Sequence, residues 1–172
     1  MQKIKIFLTL TGYQITWLAC VFGEKNFSSP FIGFFVGLFF ILIYFLFSDS
    51  KKKLSFVVIS IAIPGYTFDS LLVYFSIYEF LSIYYIGVLP IWMIVLWISF
   101  AILFDEILVF LSKYKIIAVL LSSILGPLTY FAGSPLGLIN INNLFLFITL
   151  MIVFWAILMI FYLNYIVKLE FN

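Results

Sequence analysis

Residues 89–108 read LPIWMIVLWISFAILFDEIL. At about 1.5 Å of rise per residue, a helix of about 20 residues crosses the roughly 30 Å hydrocarbon layer of a bilayer. This stretch has that length and carries its only charges, Asp105 and Glu106, near its end. Pro90 stands near its start, and Lys113 and Lys115 follow it. Apolar windows of the same kind recur on both sides, over residues 4–22, 30–47, 54–76, 116–138 and 144–166, with the present one extending over 89–111. The expected fold is therefore an all-α membrane protein, a single domain over residues 1–172 built as a polytopic bundle of six transmembrane helices.

Composition excludes the soluble alternatives. Of 172 residues, 66% are apolar and only 9% charged, so no water-facing surface can be assembled. Histidine is absent and Cys20 is the single cysteine, which removes disulfide frameworks, zinc sites and Ser-His or Cys-His catalysis within one chain. No metal or cofactor is expected. The one lysine run, Lys51 to Lys53, lies between two apolar windows and reads as a membrane anchor, so nucleic acid is not an expected partner.

The charges between windows orient the bundle. Lys3, Lys5, Lys51, Lys52, Lys53, Lys113, Lys115 and Lys168 fall on one side of a six-helix chain, and Lys25 alone falls on the other, beside Glu24. Positive residues stay inside, so both termini are expected in the cytoplasm. The connection over 77–87, with Tyr78, Tyr84 and Tyr85, is expected as an interfacial loop or short helix, and 23–29 as a polar loop.

Polar residues inside the windows are the candidates for function, because each costs free energy unless it finds a partner. Asp105 lies eight residues, about 12 Å of helix, before Lys113. Adjacent helical positions diverge by about 100 degrees, so Asp105 and Glu106 face different ways. Gln14 sits near mid-depth, on one face with Trp17. Asp69 falls at the level of Tyr130 to Ser134 on the fifth window, which predicts a hydrogen bond between the third and fifth helices. Pro64-Gly65 and Gly126-Pro127 are expected to kink or break their helices near mid-depth. The pairs Gly33/Gly37 and Gly133/Gly137 have the spacing of close helix contacts. The two proline breaks do not occupy corresponding positions of two three-helix halves, so a repeat-built transporter is not indicated.

Several strings taken together, TGYQITWLACVFG, FDSLL, LPIWMIVLWISFA and GPLTYFAG, carry Gln14, Trp17, Asp69, Pro90, Trp92, Trp97, Gly126, Pro127, Tyr130 and Gly133 in order along most of the chain. In this the sequence resembles the bacterial membrane family catalogued as domain of unknown function 2878. The resemblance implies a small protein of the bacterial inner membrane, of unassigned activity, with an association with membrane-lipid modification. It stops short of Asp105 and Glu106, where the family tends toward hydroxyl residues and then a basic or histidine position, so the acid pair looks particular to this chain.

Short loops leave little material for soluble chemistry. The first expectation is a non-enzymatic partner or scaffold among membrane lipids, working with another membrane protein or a second copy of itself. A small transporter or channel lined by Gln14, Asp69, Tyr130 and the acid pair is the alternative. An intramembrane lipid-acting enzyme comes last, since no nucleophile, metal site or phosphate loop is present.

Overall fold

A computed structural model describes residues 2–106 and 112–166. Six α-helices follow the apolar windows: α1 (Gln2–Phe27), α2 (Pro30–Phe47), α3 (Lys51–Tyr74), α4 (Trp92–Glu106), α5 (Lys115–Gly133) and α6 (Leu144–Phe161), the last continuing into a π-helical turn, Tyr162–Ile166. Five of them are long and apolar enough to cross a membrane. The fourth is described over only 15 residues, and 107–111 lie outside the described residues. Pro30 at the first helical position of α2 and the Asn143 side chain, accepting from Leu146 N at 3.0 Å ahead of α6, set two of the starts.

Helix α1 packs on α2 and α4, α3 on α4, and α5 on α6. The GxxxG of α2 makes its contacts inside the bundle. Gly33 lies on the Cys20 backbone of α1, and a Cβ at Gly37 would come within 2.7 Å of Val95 on α4. Gly133 and Gly137 do not form such a pair, because α5 ends at Gly133 and Gly137 takes a turn conformation with φ 75°.

Four short strands close one end of the bundle, here called the strand end. Strand β1 (Tyr78–Phe80) pairs antiparallel with β4 (Ile139–Ile141), matching Tyr78 with Ile141 and Phe80 with Ile139. Strands β2 (Tyr85–Ile86) and β3 (Leu89–Pro90) form a tight hairpin in which Gly87 supplies the positive φ, 67°. The expectation of a loop or short helix over 77–87 is thereby corrected. The period of two in β1 drives Tyr78 and Phe80 into the core and leaves Glu79 outside, where it accepts from Asn140 at 2.8 Å.

Three other expectations change. Helix α1 runs through Phe27, so most of the supposed 23–29 loop is helical. Helix α5 stops at Gly133, five residues before its window ends. Neither proline pair interrupts its helix: α3 is continuous through Pro64 and α5 through Pro127. A proline removes a single ladder donor, and the glycine beside each serves packing. The Trp97 indole lies on Gly65 and the Trp155 indole on Gly126, closely enough that a Cβ at either glycine would overlap the ring.

Candidate functional site

Asp69 is fully buried on α3 and is the centre of the polar interior. Tyr78, from β1, donates to its Oδ1 at 2.8 Å, Trp97 Nε1, from α4, donates to Oδ2 at 2.7 Å, and the Tyr130 hydroxyl, from α5, lies 2.9 and 2.8 Å from the two oxygens. Two helices and the strand end thus converge on one acceptor-rich side chain of a third helix. The α3 to α5 bond follows from the matched depth of Asp69 and Tyr130. Burial, and then the neighbouring Asp69 charge, push the Tyr78 phenol well above its ordinary range, so it stays a donor.

A second joint sits nearer the strand end. Glu24, 7% exposed on the last turns of α1, accepts from Trp92 Nε1 at 2.9 Å, from Ser82 Oγ at 2.8 Å and from the Ile83 amide at 3.3 Å. It ties the start of α4 and the segment between β1 and β2 to α1. Nothing in the sequence pattern marked Glu24, because beside Lys25 in a polar stretch it has the look of a solvated charge. Tyr78 was equally hidden, grouped with exposed Tyr84 and Tyr85 as an interfacial ring.

The remaining candidates stay apart from these joints. Gln14 is exposed on α1 and is not among the partners of Asp69. Asp105 and Glu106 end α4, and their side chains lie outside the described residues. Pro90 is buried in β3 opposite Tyr85.

Between α1, α4, α5 and α6 lies a cavity of about 290 Å³. All four tryptophans of the chain, Trp17, Trp92, Trp97 and Trp155, line it, joined by Tyr13 and Phe100. Trp97 and Trp155 stack with ring centres 5.8 Å apart, and Phe100 meets each of them edge-on. Trp92, Trp97 and Tyr130 present their rings to the cavity while their polar ends are committed to Glu24 or Asp69, neither to the space between the helices. Ser122 and Thr129 in the lining likewise spend their hydroxyls on the Val119 and Gly126 carbonyls. No carboxylate or lysine lines the cavity among the described residues, and no group of three or more potential metal ligands occurs among them. Among the described residues, Ser99 Oγ and Trp155 Nε1 are the buried polar side-chain atoms left without a partner.

Neither the curated proteins nor the solved structures include a match to this chain. A family model does match, over residues 6–161, and that span includes every residue of the Asp69 and Glu24 joints. The chain belongs to this family, described as a protein of unknown function (DUF2878).

Proposed function

We propose that this is a non-enzymatic protein of the bacterial inner membrane, with both termini in the cytoplasm, that acts as a partner or scaffold within the bilayer. The observation that carries the reading is the separation of its polar groups. Asp69 is consumed by three donors, Glu24 by three others, and Gln14 faces outward. A transporter needs such groups to share a polar path, and an enzyme needs an acid or base within reach of a substrate. The described side chains instead resemble interhelical joints. The family resemblance supports membrane-lipid modification as the process served.

Cross-linking in intact membranes followed by purification in mild detergent tests the proposal, with a defined membrane-protein partner as the expected product. Purified protein in liposomes that moves a solute, and loses that flux in Asp69→Asn while remaining folded, would overturn it. For orientation, a reporter active only outside is expected to work when fused after Tyr84 and to stay dark after Lys52. The opposite pattern contradicts the topology.

A further inference from the structure

We infer that the aromatic cavity is a binding site for a single hydrocarbon chain of an anionic amphiphile, whose head lies at the strand end beside Lys25. Three observations combine. First, the cavity is about twice the roughly 150 Å³ apolar void that accepts one benzene, and such voids exclude water. Its volume reaches the lower end of ligand pockets, about 300 to 1,000 Å³. Second, it opens sideways: Leu121, Leu125 and Thr129, one face of α5, line it and are also exposed, where α5 rests on α6 while α1 rests on α2 and α4. A chain can slide in from the bilayer through that side. Third, Leu138 lines both this cavity and a separate polar pocket of about 320 Å³, bordered by Glu24, Lys25 and Ser28.

One helix carries the whole gradient from tail to head. Along α1, Tyr13, Trp17 and Cys20 face the cavity, and Glu24 and Lys25 face the polar mouth. From Tyr13 to Glu24 is about 16 Å of helix. Glu24 is buried and already holds three donors, so the exposed Lys25 is the charge that determines which head is accepted. It is exposed, forms no ion pair among the described residues, and is the only lysine or arginine in the last turn of α1 or in the segments that join helices at the strand end. Lipid tails are as apolar as the cavity wall, so hydrophobicity does not drive the transfer. Close contact with stacked rings and the charge at Lys25 supply the preference. The site stands whether or not the protein has a protein partner.

Its position among all four tryptophans makes it directly measurable. In mild detergent, dibromostearate is expected to quench tryptophan emission saturably, and the uncharged alcohol of the same brominated chain more weakly. Lys25→Glu should weaken the carboxylate about tenfold and leave the alcohol unchanged. Ala118→Phe, deep in the cavity, and Thr129→Phe, at its side opening, should abolish saturable quenching by both; two positions keep the test intact if one variant does not fold. Quenching that rises linearly with probe and is the same in Thr129→Phe would show mere partition into the micelle and overturn the site. Saturable binding indifferent to Lys25→Glu would overturn the anionic head.

Discussion

Replacing Asp69 by leucine removes the acceptor for Tyr78, Trp97 and Tyr130 at once. All three are buried, and each would lose a bond of 2.7 to 2.9 Å. In water-soluble proteins a stranded buried donor costs about 1 to 3 kcal/mol. Interhelical bonds in membranes average about 0.6 and reach about 1.7 kcal/mol, so the three together should cost about 2 to 5 kcal/mol. At about 2 to 4 °C per kcal/mol for a chain of this size, the melting temperature should fall by roughly 4 to 20 °C. Asparagine is the informative comparison. Its oxygen can accept from Trp97 and Tyr130, and its amide can donate to a rotated Tyr78 hydroxyl, so the charge assistance and Tyr78's own donation are lost while the other two bonds remain. Asp69→Asn should cost less than half as much as Asp69→Leu. Thermal unfolding in mild detergent, followed by tryptophan emission, measures both. A leucine variant as stable as the parent, or an asparagine variant as damaged as leucine, would refute the account of Asp69 as a three-way joint.

Three further outcomes follow from the same contacts. Glu24→Gln should destabilise by about 1 to 3 kcal/mol and speed hydrogen exchange at the Ile83 amide, with little change at the β1 to β4 ladder. Gly65→Val and Gly126→Val should each lower stability by about 1 to 3 kcal/mol, because the new side chain must displace Trp97 or Trp155; a neutral result in thermal unfolding would mean that the indoles move freely. Gln14→Leu, on an exposed face, should change stability by no more than about 0.5 kcal/mol, and a larger loss would place Gln14 in a contact.

The helices were legible because membrane-spanning length is a one-dimensional property: windows near 20 apolar residues located all six, including α2 with Pro30 at its start. Depth counting also brought Asp69 to Tyr130, since helical rise converts sequence position into height. What the sequence did not show was the non-helical chain and the facing of Gln14. Gln14 and Trp17 share a helical face by spacing, yet Gln14 lies outward, because periodicity is blurred where both lipid and core are apolar. Tyr78 reaches Asp69 only because β1 pairs with β4, 61 residues away between partners Glu79 and Asn140, and such a pairing leaves no local signature. Pro64 and Pro127 read as breaks, whereas the glycine neighbours matter more, as seats for two indoles whose identity the local sequence does not announce.

The central claim is that the interior polar groups are sealed joints, not stations on an aqueous path. Transfer of magnetisation from water to labelled carboxyl carbons, by solid-state NMR of the protein in lipid bilayers, measures this directly. Asp69 is expected to receive no transfer on a timescale at which exposed Asp49 is fully labelled. Rapid transfer to Asp69, comparable with Asp49, would put water at the centre of the bundle and contradict the account.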